Sequence, residues 1–135
     1  MKDDIRNIYT ALRFAERPDL HLTLRYYPKV AARGPWECEL IQQIGVFWTA
    51  RRPEAFTLSL GERSMFGPRR NIPVLLATGT WPTWIEPLRF VVPVPGKDAY
   101  AFRPHVTTPE EGPLALKVTS VAVMHKDRVL WEWML

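Results

Sequence analysis

A chain of 135 residues that is 47% hydrophobic can bury one core but is too short for two independently stable units, so we expect a single domain spanning 1–135. Eighteen basic residues against fourteen acidic give a net charge of +4, which favours an anionic partner only mildly and argues against a dedicated binder of duplex DNA. Cys38 is the one cysteine, which excludes an internal disulfide or a cysteine metal cluster and suits a reducing compartment. The N-terminus is charged and no apolar run approaches the length of a membrane span, so neither a signal peptide nor a membrane segment is expected, and the protein is read as cytoplasmic.

Residues 3–16 read as a helix capped by Asp3 or Asp4, with Ile5, Ile8, Tyr9 and Leu12 at helical spacing and Pro18 beyond its end. Residues 20–26 alternate Leu20, Leu22, Leu24 and Tyr26 with His21, Thr23 and Arg25, the period of a half-buried strand, which Pro28 closes. A second helix is predicted from Pro35 towards Phe47, weakened in its later part by Gly45. A strand over 55–60 follows the basic connector Arg51-Arg52-Pro53. Residues 61–71 read as a turn region carrying Arg63, Arg69 and Arg70, and 72–77 as a short buried strand.

The segment 78–95 holds Trp81, Trp84 and four prolines; it reads as a packed irregular loop in which 88–92 could form a strand. A strand over 100–107 places Arg103, His105 and Thr107 on one face and Phe102, Pro104 and Val106 on the other. The chain then ends in a hairpin of 116–124 and 128–134 turning at His125-Lys126-Asp127. No internal repeat or low-complexity linker is visible. The reading is an α+β fold: antiparallel sheets with helices on their outer faces.

Two of the three histidines begin the same triplet, His21-Leu22-Thr23 and His105-Val106-Thr107. With ten threonines in the chain, chance alone would give such a pair about once in sixty. On each strand the alternation puts an imidazole, a hydroxyl and a guanidinium in a row, with Arg25 and Tyr27 beyond Thr23 and with Arg103 before His105. Such groups suit a phosphodiester. Histidine titrates near neutrality, so one ring can take a proton from the attacking oxygen while a second, protonated, gives one to the leaving oxygen. Hydroxyls can donate to the non-bridging oxygens and an arginine can hold their charge, and this chemistry requires neither a metal nor a cofactor.

The paired motifs resemble those of the 2H phosphoesterases, the group of LigT-like RNA 2′,3′-cyclic phosphodiesterases and 2′-5′ RNA ligase-like proteins. Phe56-Thr57-Leu58-Ser59-Leu60-Gly61, then Met65-Phe66-Gly67 and Pro73-Val74-Leu75-Leu76, are similar to the strand, turn and strand between that family's motifs. The likeness covers 20–78 and 102 to the C-terminus. It departs from the pattern in the short chain, in the helix rather than a strand read first, and in the proline- and tryptophan-rich segment. The resemblance implies a bilobal fold with both motifs lining a central cleft, and hydrolysis of RNA 2′,3′-cyclic phosphates, 2′-5′-linked oligonucleotides or cyclic nucleotides; the protein is read as a monomer. Its catalytic residues would be His21, Thr23, His105 and Thr107, with Arg103, Arg25 and Tyr27 binding substrate. Phage members that open cyclic oligonucleotide defence signals are a variant of this reading. The alternative is a non-catalytic RNA- or nucleotide-binding module.

Tyr27, Trp81 and Trp84 could stack on a base, though such aromatics are more often core. His125 at a hairpin tip is expected to play no catalytic part, Thr108 to be structural, and Cys38 to be a small buried side chain.

Overall fold

The computed structural model describes residues 8–27, 34–92 and 102–135. Their strands form two antiparallel four-stranded sheets. Strands β1 (Ile8–Arg13) and β2 (His21–Tyr27) come first, followed by helix α1 (Gly34–Arg51), β3 (Phe56–Phe66) and β4 (Ile72–Thr78). A short helix α2 (Ile85–Arg89), then β5 (His105–Thr107), β6 (Leu114–Val118), β7 (Ser120–His125) and β8 (Arg128–Met134), complete them. The first sheet runs β2-β1-β7-β8 and the second β5-β4-β3-β6, so each His-x-Thr motif occupies an edge strand. The two edges lie against each other.

The helix expected over 3–16 is a strand in its described part, and the capping residues Asp3 and Asp4 lie outside the described residues. β1 sits between β2 and β7 with both faces covered, Ile8 and Leu12 in the main core and Tyr9 and Ala11 in a second cluster with Ala122 and Met124. A strand buried on both sides loses its alternation, and its apolar run then mimics a helical one.

Other elements fall closer to expectation. α1 buries Leu40, Ile44 and Phe47, spaced i, i+4 and i+7, and these anchors carry it past Gly45 to Arg51. Cys38 on this helix is exposed, not buried. β3 continues through the region read as a turn, as far as Phe66. The chain reverses only at Gly67, whose φ of 97° favours glycine. The strand considered over 88–92 is absent: Ile85–Arg89 is helical, and Pro87 is tolerated there because first-turn N–H groups have no intrahelical acceptor anyway.

The strand expected over 116–124 breaks at Thr119 into β6 and β7, which belong to different sheets. At that crossing the Thr119 N–H donates to the Arg13 carbonyl at 2.9 Å, and its Oγ1 accepts from the Ala15 N–H at 2.8 Å. Residues 28–33, which follow the first motif strand, and residues 100–101 of the second motif strand lie outside the described residues.

One core joins the sheets. Leu12, Leu22 and Val121 from the first, Leu58, Leu60, Leu75, Val106 and Val118 from the second, and Leu40, Ile44, Ile85 and Leu88 from the helices belong to a single apolar cluster. The opposite face of the first sheet carries His21 and Thr23, and that of the second carries His105 and Thr107.

Candidate active site

Directly opposed residues of an antiparallel pair share a face, so the register assigns the side chains. Arg13 opposes His21 and Ala11 opposes Thr23, which puts Tyr9, Ala11, Arg13, His21 and Thr23 together on the face away from the core. A bulge follows: Thr10 opposes Arg25 and Ala11 opposes Thr23, leaving Leu24 as the extra residue of β2. Past it the parity inverts. Tyr26, expected in the core, is 57% exposed with its ring 5.2 Å from that of Tyr9.

The same inversion corrects two expected substrate contacts. Tyr27 is fully buried opposite Ile8, with its hydroxyl 3.5 Å from the Arg89 carbonyl. Arg25 opposes buried Thr10, donates to the same carbonyl at 3.2 Å and lies 4.4 Å from the centre of the Phe90 ring. Both act in the seam between β2 and α2, and the expected row of three polar groups on β2 stops after Thr23.

The second motif keeps its expected row. His105 and Thr107 oppose Leu76 and Val74 of β4, while Val106 and Thr108 are buried on the other side. Thr108 accepts the Glu110 N–H at 3.2 Å, as its structural reading required. The exposed Arg103 places its guanidinium 4.9 Å from the centre of the Phe66 ring, and that ring meets His105 edge-on at 4.5 Å. His105 Nδ1 lies 2.7 Å from the Arg103 carbonyl. A carbonyl only accepts, so Nδ1 carries the proton and Nε2 is the nitrogen left for a ligand.

The surroundings of His21 favour its neutral form. Burial lowers its pKa from 6.5, and the nearby charges of Arg13 and then His105 lower it further. The contact between β2 and β5 brings the two motifs, 84 positions apart in sequence, together across the seam. Arg13 is fixed by Glu132 at 3.2 Å, and the Tyr9 ring lies 5.4 Å from that of His21. Tyr9 and Arg13 escaped the sequence reading because their strand was taken for a helix. Phe66 was noted only as part of a turn. Among the described residues no three His, Cys, Asp or Glu side chains converge on a metal site.

A buried arginine closes the seam. Arg89, 6% exposed, donates through Nε to the Leu24 carbonyl at 3.0 Å and pairs with Glu86 at 3.1 Å. Its guanidinium lies 3.7 Å from the centre of the Phe102 ring, so it joins the bulge of β2 to the segment leading into β5. Beyond β5, Arg17 bridges Asp19 and Glu110, and Arg63 donates to the carbonyls of Pro109 and Glu110. These contacts fasten the β1–β2 connection to the chain that leaves the second motif.

The fold of two antiparallel sheets that meet along their edges is shared with a group of solved structures. E. coli LigT complexed with 3′-AMP superposes with a TM-score of 0.61 at 17% identity, covering 96% of this chain and 98% of that one. The chain has the LigT fold. A structure described as a phosphoesterase matches with a TM-score of 0.58 at 18% identity over 96% of this chain and 98% of its own. LigT complexed with NADP+ gives 0.60 at 17% identity over the same shares. No protein-family model and no curated protein sequence matches the chain. β1, unforeseen in the sequence, lies within an alignment that leaves almost none of LigT uncovered. No helix among the described residues is long and apolar enough to cross a membrane.

Proposed function

We propose that this chain is a 2H phosphoesterase, a metal-independent phosphodiesterase acting on RNA 2′,3′-cyclic phosphates, 2′-5′-linked oligonucleotides or cyclic nucleotides. The observation that carries the proposal is the meeting of the two His-x-Thr edge strands, β2 and β5, along the seam between the sheets. The nucleotides in the LigT complexes, 3′-AMP and NADP+, add weight to a nucleotide substrate.

The lowered pKa of His21 suits it to the role of base, which leaves the role of acid to His105. His21 takes the proton of an attacking water as its oxygen bonds to phosphorus. The P–O bond to one ribose oxygen breaks, and His105 gives that oxygen the proton on Nε2, leaving a ribose hydroxyl and a phosphate monoester. Thr23, Thr107 and Arg103 donate to the non-bridging oxygens, whose charge is greatest at the five-coordinate stage. Proton exchange with solvent then restores both rings.

The direct test is a substrate panel of nucleoside 2′,3′-cyclic phosphates, 2′-5′ oligoadenylates and cyclic di- and trinucleotides, assayed with and without EDTA. Turnover of at least one class, unchanged by the chelator, is expected. Saturable binding without product would instead make the chain a nucleotide-binding module.

The pH profile follows from the His21 environment. A base with a lowered pKa stays deprotonated further into acid, so the acidic limb of kcat/KM is expected below pH 6.5. Arg13→Gln removes a positive charge that disfavours imidazolium, and should move that limb to higher pH. A limb above 6.5 in the wild type, or one unmoved in the variant, would reassign the base.

A further inference from the structure

A cavity of about 270 Å³ lies beside the second motif, lined by Pro104, the residue next to His105, and by Phe56, Ser59, Thr78, Trp81, Glu86 and Phe102, among others. It forms where the second sheet is incomplete. Ser59 opposite Thr78 is the last pair between β3 and β4, and the β3 residues Phe56 to Leu58 are paired on their other side with β6. Among the described residues, backbone groups of β3 here have no strand beside them. A purine base can bond to such an edge.

One wall is rigid and flat. The Trp81 and Phe102 rings stack with centres 5.7 Å apart at 23°, and Arg89 lies over Phe102, so guanidinium and two rings follow one another in a column. The buried Arg89 is itself fixed by the Leu24 carbonyl and by Glu86. Trp81 remains partly exposed at the cavity side of this column. Aromatic surfaces of this kind hold unpaired bases by stacking.

The charge in the cavity selects what enters. Its lining has one ionisable group, the Glu86 carboxylate, which pairs with Arg89 through one oxygen and keeps lone pairs for an N–H edge. The volume falls just below the roughly 300 Å³ at which pockets for whole small molecules begin, which suits a single base better than a nucleotide. Guanine presents adjacent N1–H and N2–H donors that a carboxylate can accept together.

We propose that this notch is a base subsite for a guanine one nucleotide removed from the phosphate held by His21 and His105. The placement relative to the phosphate rests on the reading under Proposed function; the affinity of the notch for guanine does not. Thr78 in the lining lies on the same face of β4 as Leu76, the residue opposite His105, and two positions from it, about 7 Å along the strand, so an oligonucleotide bound here delivers an adjacent linkage to the histidines.

Free nucleosides test the notch without the phosphate chemistry. Guanosine, adenosine and uridine are titrated into the wild type, Trp81→Leu and Glu86→Gln, with binding followed by protein NMR shifts. Guanosine should bind best. Trp81→Leu should weaken it about tenfold, the scale of one stacked base. Glu86→Gln, a change at an exposed side chain that spares the fold, should level guanosine with adenosine. Absence of saturable guanosine binding to the wild type would overturn the proposal, as would binding that Glu86→Gln leaves equally selective. Turnover of cyclic phosphates without guanosine binding would remove the subsite alone. Guanosine binding without turnover of any panel substrate would keep the notch and remove the phosphodiesterase.

Discussion

Replacing His21 with alanine is expected to lower kcat/KM for a nucleoside 2′,3′-cyclic phosphate by about 10³, in the middle of the range for a positioned general base. His105→Ala should cost a similar factor, since an unprotonated ribose oxide is a poor leaving group. The double variant should be little worse than the poorer single one, because acid and base act in the same step and losing either disables the other. His21 is only half-buried, so the variants should keep the fold, and unchanged circular dichroism would separate lost chemistry from lost structure. Retention of more than about a tenth of wild-type activity in either variant would exclude its histidine from the reaction.

The largest stability effect is expected at Arg89. Arg89→Met keeps much of the volume but removes four interactions: the bond to the Leu24 carbonyl, the contacts over the Phe102 and Phe90 rings and the pair with Glu86. The Glu86 side chain is 62% exposed, so that pair contributes little. The exposed partner is therefore not the source of the effect. A buried carbonyl left without a donor costs about 2 kcal/mol, and the desolvated cation–ring contact adds about 1 kcal/mol. A loss near 3 kcal/mol corresponds to a Tm lower by about 10 °C for a chain of this size. Thermal unfolding checks it, and a Tm within about 2 °C of wild type would show that the seam does not depend on this residue.

The faces of the two motif histidines and threonines were legible in sequence because strands that bury one face advertise their period. His21, Thr23, His105 and Thr107 fall where the alternation puts them. Arg25 and Tyr27 do not, since a bulge at Leu24 inverts every side chain after it, and nothing in His-Leu-Thr-Leu-Arg-Tyr-Tyr marks the inserted residue. The bulge also has a use in the fold. It turns Arg25 and Tyr27 to the Arg89 carbonyl, so the seam is held by side chains that simple alternation would have sent to the substrate.

β1 failed for the opposite reason. Buried on both faces, Ile8 to Leu12 has no polar side to reveal a strand, and Tyr9 and Arg13 beside His21 were lost with it. The split at Thr119 was equally invisible, because what divides β6 from β7 is a change of sheet, a tertiary fact carried by its backbone bond to Arg13 and its side-chain bond to Ala15. Fold class and motif faces were thus open to a local reading. The bulge, the crossover and the proximity of the motifs required the assembled sheets.

Only three histidines are present, which makes proton NMR of their ring resonances a direct test of whether the two motifs share a ligand. His125 opposes Ile8, five positions along β1 from Arg13, the residue opposite His21; at strand spacing that places it about 17 Å away as an internal control. Titration with a nucleoside 2′-monophosphate should shift the His21 and His105 signals together, with one midpoint, and leave His125 in place. If only one of the two moves, or if they follow different midpoints, the histidines do not hold a common phosphate.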